Sequence, residues 1–525
     1  MNRSIASVLL ALGCGGAAPP PAEYPTMPAG DEVVALPEVL REPLRDAPIV
    51  LEARSSTSAT VTIRIVFDAG SADDPVGREG LTALTARLMS EGGAGELDYA
   101  GITAALFPTA ASLGARTGRD QTVFVVRLPA EHLETVWPLF RDVLTRPALS
   151  GADFERVRAQ AQSELVTGLR AEGDEALGKA VLLSMLFEGH PYAHPELGTE
   201  EALAAITADE VRAHRARLFC PGRMTIGLTG RYPEGFAARV TSELAVLATD
   251  ACEGRAVLPA APAHGARIRI VDKPEASSTA VSMGLPLDVV RGDPDYPALV
   301  LATSWLGQHR QFVGVLMQEI RELRGMNYGD YAYPEHFVQE GWSTFPLPNA
   351  AMRQQYFSVW LRPLRPEQAH FAMRLALYHL RRFVEVGLTD EDVARMRAYL
   401  DGYYALFLQT ESRRIGYAID DRFYGEDVAW LDALRARWAT LTAAEVNDAI
   451  RRHLDLGRLE IAVIAPDAAS FADRLASEAA SPMTYGEGAS PSAEALALDA
   501  EVEHLRIGIP RERIELVPVR EIFRR

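Results

Sequence analysis

Leu149-Ser150-Gly151-Ala152-Asp153-Phe154-Glu155-Arg156-Val157-Arg158-Ala159 returns as Leu388-Thr389-Asp390-Glu391-Asp392-Val393-Ala394-Arg395-Met396-Arg397-Ala398, 239 residues on (149 to 388). Three more pairs keep the same order. Ile206-Thr207-Ala208-Asp209-Glu210-Val211 matches Leu441-Thr442-Ala443-Ala444-Glu445-Val446, and Arg223-Met224-Thr225-Ile226 matches Arg458-Leu459-Glu460-Ile461. Leu88-Met89-Ser90-Glu91 matches Leu316-Met317-Gln318-Glu319. A chance helix cap explains one such pair, not four in register. The chain is therefore one unit of about 200 residues written twice, far longer than a solenoid repeat.

Both copies follow one grammar. An alternating run at residues 59–67 reads as a strand, with Val61, Ile63 and Ile65 on one face. A helix follows near residues 80–90. A second alternating strand spans 122–128 and has its counterpart at 356–361. The next helix, 131–144, is closed by Arg146-Pro147. Ser150 and Thr389 are N-caps, because their hydroxyls satisfy free backbone N–H groups, and a long helix follows each. Strands at 224–229 and 459–464 close the two halves. The expected fold is α+β: two tandem homologous domains, each a largely antiparallel sheet with helices on one face.

Composition sets the outer limits. A 525-residue chain with 48% apolar and 24% charged residues is globular, not disordered or coiled-coil. Its net charge of −18 argues against nucleic acid as a partner. The start carries Arg3, then an apolar run at 5–12 too short to span about 30 Å of hydrocarbon, then Ala11-Leu12-Gly13-Cys14. This resembles a bacterial lipobox and implies an exported envelope lipoprotein anchored through Cys14, facing the periplasm or the outer surface. Ordinary secretion is the alternative. The expected organisation is a leader over 1–13, a lipidated cysteine and Pro/Ala-rich tether over 14–46, domains over 47–248 and 267–466 joined by a linker at 249–266, and a tail over 467–525 with an ordered arm. Cys220 and Cys252 remain, and two readings stay open: a disulfide, or two buried thiols.

Phe67-Asp68-Ala69-Gly70-Ser71-Ala72-Asp73-Asp74-Pro75, followed by Gly77, Gly80 and Leu81, resembles the opening of the pitrilysin/insulinase/mitochondrial-processing-peptidase family. Gly189-His190-Pro191-Tyr192, followed by Leu197-Gly198-Thr199-Glu200-Glu201, is similar to a second stretch of that family. The run Leu316 to Gly329, Leu-Met-Gln-Glu-Ile-Arg-Glu-Leu-Arg-Gly-Met-Asn-Tyr-Gly, resembles its C-terminal-half signature. The likeness spans most of residues 50–465. It implies that the chain forms half of a clamshell closed around a peptide by a second short subunit.

The family is a zinc peptidase with H-x-x-E-H on a helix. Two His one turn apart bind one metal, the Glu activates its water, and a downstream Glu is the third ligand. Here Ala83 and Arg87 stand at the two His positions and Ala86 at the general base. Alanine has no donor, and a guanidinium is a permanent cation. Only the third position survives, as Glu164, and by itself Glu164 reads as a solvated helix residue. No metal is expected in this chain; zinc is expected only in a partner subunit. His190 and His194 are one turn apart, but Pro191 breaks the helix between them. Glu335-His336 lies in a loop without a third ligand.

The resemblance also implies a substrate-binding pair seven residues apart, Arg321 and Tyr328, reaching toward the zinc site of the facing half. A guanidinium holds a peptide carbonyl or carboxylate, and a tyrosyl hydroxyl donates to an oxyanion. It further implies β-augmentation by peptide along residues 110–117, next to the strand at 122–128. The expected function is a non-catalytic subunit giving the Arg/Tyr half of the chamber to a zinc-bearing paralogue, as a heterodimer, for hydrolysis of unstructured peptide. Homodimers are the second arrangement. A peptide-binding or scaffold lipoprotein without hydrolysis is the alternative function, and an enzyme with unrecognised ligands ranks last.

Overall fold

A computed structural model describes residues 40–339, 343–486 and 490–525; the expected leader and Cys14 lie outside them. Eleven strands form two sheets among the described residues. The first contains β1 (Ile49–Arg54), β2 (Thr60–Phe67), β3 (Ser112–Thr117), β4 (Thr122–Pro129) and β5 (Met224–Gly230), in the order β1-β5-β2-β4-β3. The second contains β6 (Arg267–Asp272), β7 (Thr279–Leu287), β8 (Asp330–Tyr333), β9 (Gln355–Leu364), β10 (Glu460–Ala465) and β11 (Ile514–Pro518), in the order β11-β6-β10-β7-β9-β8. Removing β11 leaves the same order twice, so the internal repeat is an architectural one. Each sheet is antiparallel except where β1 meets β5, β6 meets β10, and β11 joins β6.

Local chemistry explains the elements. In β2, Val61, Ile63, Ile65 and Phe67 alternate into one core with Phe124, Val126, Ile226 and Leu228. Ser150 Oγ accepts from Asp153 N–H and Thr389 Oγ1 from Asp392 N–H, each closing the first turn of a helix, Gly151–Ser163 and Asp390–Ala405. Thr207 with Glu210 and Thr442 with Glu445 form reciprocal capping boxes at the other repeated position.

Each sheet packs its own helices on one face. The opposite face receives a helix from the other half, which the sequence reading did not foresee. Helix Asp174–Leu186 of the first half lies on β7 and β10; helix Glu411–Phe423 of the second lies on β1 and β5. Val66 and Val123 pack with Ile419, and Leu177, Val181 and Leu182 pack with Ala280 and Ile464. Two glycines make room. A Cβ on Gly227 of β5 would meet Ile419 Cδ1 at 2.7 Å, and one on Gly178 would meet Ser282 Oγ at 3.3 Å.

The two open readings of the cysteines resolve into a disulfide. Cys220 bonds Cys252 with a Cα–Cα distance of 6.1 Å, tying the end of helix Ala208–Leu218 to the segment between the sheets. That segment also binds the chain before β1, through Glu42 N–H donating to Arg255 O at 2.8 Å and an Arg255–Glu42 ion pair at 2.7 Å. Among the described residues no helix is long and apolar enough to cross a membrane.

Gly227→Val places a branched side chain against Ile419 and is expected to cost about 1–3 kcal/mol of stability, read by calorimetry. Replacing Cys220 and Cys252 by Ser is expected to cost roughly 3–4 kcal/mol for a loop of this length, and a non-reduced digest should contain the linked peptides.

Candidate functional site

Helix Leu81–Ser90 starts from a fixed point. Gly80 sits in the left-handed region at φ 97°, and the buried Asp74 carboxylate accepts from Gly80 N–H at 2.7 Å, Thr82 N–H at 2.7 Å and Thr82 Oγ1 at 2.6 Å. Burial pushes the Asp74 carboxyl up to about 7, against the lowering effect of those donors. Thr82 Oγ1 also meets His214 Nε2 at 2.8 Å. Thus positions 83, 86 and 87 are held rigidly.

Ala83 and Ala86 present buried methyl groups. Arg87, at a position where the resemblance implies a histidine ligand, pairs with Glu164. Its Nη1 donates to Glu164 Oε2 at 2.8 Å and its Nη2 to Glu164 Oε1 at 3.0 Å, while Nε donates to Glu91 Oε1 at 3.1 Å. Burial works against this cation, but Glu91 and Glu164 outweigh it and hold Arg87 above its ordinary range. Glu164 is exposed, as expected from sequence, and is in addition the ion-pair partner of Arg87. It opens a π-helix, Glu164–Ala171. Half-exposed, the pair contributes at most about 1 kcal/mol. Its chemical effect is larger: the one surviving carboxylate is engaged by a fixed positive charge. The residues present do not fit a zinc ion, and no cluster of His, Cys, Asp and Glu suited to a metal occurs among the described residues.

The other candidates also resolve. His190 is buried, with Nε2 against Pro259 O at 3.1 Å and Nδ1 accepting from Tyr192 N–H at 3.0 Å; burial lowers it to about 4. His194 Nδ1 meets Pro195 O at 3.0 Å. The stretch around His190 is a structural latch: Tyr192 OH donates to Asp120, and Asp120 Oδ1 accepts from Arg353 Nη2 at 2.8 Å, joining the halves. Glu335 pairs with Arg291 at 2.9 Å, and His336 Nδ1 meets Tyr356 OH at 2.9 Å.

Arg321 lies on a second π-helix, Met317–Glu322. Its guanidinium sits 4.9 Å from the Phe312 ring and 5.8 Å from the Tyr328 ring, a cation held between two aromatic faces. Tyr328 is 77% exposed and Phe312 54%, so the group is offered to a ligand or partner. Gly325 at φ 62° and Gly329 at φ 153° bracket the Tyr328 turn. Phe312 was missed from sequence, because a lone aromatic in a loop carries no periodic signal. The contacts of Arg321 are to Phe312, Tyr328 and Glu322, all on its own half.

A cavity of about 760 Å³ lies between the halves, a size that admits several peptide residues. Arg116 and Arg119 line it from the end of β3, and Lys179, His336, Tyr356 and Trp360 line it elsewhere. The Lys179 ammonium sits 3.7 Å from the Trp360 ring and donates to Glu175 Oε1 at 2.6 Å; burial lowers its pKa to about 8. A smaller hollow of about 320 Å³, lined by Tyr328, shares Ser278 and Pro363 with this cavity. Among the described residues β3 pairs with β4 alone, over Ser112–Thr117 within the expected 110–117, and Arg116 and Thr117 at its end line the cavity.

Residues 49–200 match the family model described as "Insulinase (Peptidase family M16)", and residues 205–400 match "Peptidase M16 inactive domain". An uncharacterized zinc protease of Streptomyces coelicolor is 25% identical over 436 residues, covering 81% of this chain and 89% of that one. The non-peptidase homolog YmxG of Helicobacter pylori is 22% identical over 404 residues, covering 77% and 88%. A crystal structure of a peptidase M16 inactive domain from Pseudomonas fluorescens superposes with a TM-score of 0.70 at 22% identity, covering 82% of this chain and 98% of that one.

Restoring the ligand set tests the geometry. The triple variant Ala83→His/Ala86→Glu/Arg87→His, with Glu164 freed, is expected to bind close to one zinc per chain by elemental analysis, and the unaltered chain none.

Proposed function

We propose that this chain, which belongs to the M16 insulinase peptidase family, is a non-catalytic subunit that gives the Arg321/Tyr328 half of a peptide chamber to a zinc-bearing partner. The observation that carries this reading is the ion pair of Arg87 with Glu164, which stands where the family places its metal. The aromatic-flanked Arg321 and exposed Tyr328 supply the complementary half. An unstructured peptide would add to β3 along its open edge, using backbone groups that no loss of metal ligands affects. Arg321 would hold a peptide carbonyl, and Tyr328 OH would donate to the oxyanion formed at the partner's site. Cys14 and the tether after it would hold the assembly on the cell envelope by a lipid anchor.

A second reading, a peptide-binding or scaffold lipoprotein without hydrolysis, is favoured by the Helicobacter pylori relative, named a non-peptidase homolog. A homodimer belongs to that reading.

The test is cleavage of a quenched-fluorescent peptide library by this chain alone and together with a zinc-bearing paralogue from the same genome. The lone chain is expected to be inert and the pair active and chelator-sensitive. Tyr328→Phe should lower the pair's kcat by about 10²–10³-fold, the effect of losing one oxyanion donor, and Arg321→Ala should raise KM. No cleavage in any combination, with peptide still bound, moves the function to the scaffold reading.

A further inference from the structure

Residues 401–525 lie outside both family matches, yet the end of the chain reaches both functional segments. Arg324 lies between Arg321 and Tyr328, and its side chain is fully buried. Its Nε donates to Asp499 Oδ1 at 2.8 Å, and its Nη1 donates to Glu319 O at 2.7 Å and Glu319 Oε2 at 2.8 Å. Asp499 belongs to helix Ala493–Val502, and its second oxygen accepts from Tyr485 OH at 2.5 Å. The π-helix bearing Arg321 is thus held from behind by a charge that the tail supplies.

The same tail then runs on. Leu505, Ile507 and Ile509 enter the core of the second half, and β11 adds to β6 in parallel. Past β11 it crosses to the first half. Arg170, in the π-helix that Glu164 opens, is buried and donates through Nη1 to Arg520 O at 3.0 Å. Glu200 N–H donates to Phe523 O at 3.0 Å and Glu201 N–H to Arg524 O at 2.9 Å. Phe523 packs against the core of the first half and against the cluster where helix Asp174–Leu186 meets the second sheet.

Both site positions that matter, 164 and 321, therefore lie on π-helices, whose widened turns are uncommon and persist where surrounding contacts fix them. One segment makes those contacts at both. We infer that residues 490–525 are a positioning strap: Asp499, acting through Arg324, sets the Arg321/Tyr328 segment, and the backbone at 520–524, acting through Arg170, sets the Glu164 segment. This rests on the function proposed above, since it gives that site's geometry its support.

The test uses the full chain and the isosteric variant Asp499→Asn, with far-UV dichroism to establish folding. Amide hydrogen exchange is expected to rise about tenfold or more across residues 317–328 and to stay unchanged across 81–90. Removing residues 511–525 should do the same to residues 164–171. Unchanged exchange at 317–328 in folded Asp499→Asn overturns the inference, whatever Arg321 does. The second arm is a double-mutant cycle on binding of a fluorescein-labelled unstructured decapeptide, read by anisotropy. Asp499→Asn is expected to weaken binding about tenfold in the native background and not at all in Arg321→Ala. Equal losses in both backgrounds indicate general destabilisation and overturn the positioning role. No effect of Arg321→Ala by itself refutes the proposed function, and the exchange data then still decide the strap.

Discussion

Helix Asp174–Leu186 leaves the first half to lie on β7 and β10 of the second, while Glu411–Phe423 makes the return crossing onto β1 and β5. This exchange buries apolar surface that neither half covers with its own helices. Gly227 and Gly178 let the helices come close enough for Ile419 and Ile464 to seal the contact. The cavity between the halves follows from the crossing, since Lys179 and Glu175 reach it from the exchanged helix and meet Trp360 and Arg362 of the other half. The Asp120–Arg353 pair fastens the same junction, and the Cys220–Cys252 disulfide ties the segment between the sheets to the first half.

On that frame Arg87, at a position where the resemblance implies a histidine, brings a positive charge to two carboxylates. A guanidinium engages Glu164 with two hydrogen bonds in a plane and satisfies Glu91 with the third donor. It neutralises the carboxylates as a cation does, but it has no open coordination position and polarises no water. Its helix neighbours Ala83 and Ala86 are buried methyl groups that carry no donor atom.

Much of this was legible in the sequence, and the reasons are physical. The duplicated caps at Ser150 and Thr389 are local hydrogen bonds between residues three apart, so they stand in the sequence itself. The alternation of β2 records one face toward a core. Ala83, Ala86 and Arg87 are read directly from the sequence, and neither Ala nor Arg offers a lone pair to a metal. What sequence did not give was set by distance. Helix Asp174–Leu186 buries residues on more than one side and lacks a single apolar stripe, so its crossing left no periodic mark. The Arg87–Glu164 pair joins residues 77 apart in the chain, so no local pattern marks it. Phe312 sits in a loop, and the Arg324–Asp499 pair joins segments 175 residues apart.

The most direct measurement is anomalous diffraction at the zinc edge from crystals of the full chain soaked in zinc. An ion pair standing in place of the metal requires an ordered Arg87 guanidinium within hydrogen-bond distance of Glu164 and no anomalous peak beside Ala83. A zinc peak bound to Glu164, with the Arg87 side chain swung away, would contradict it.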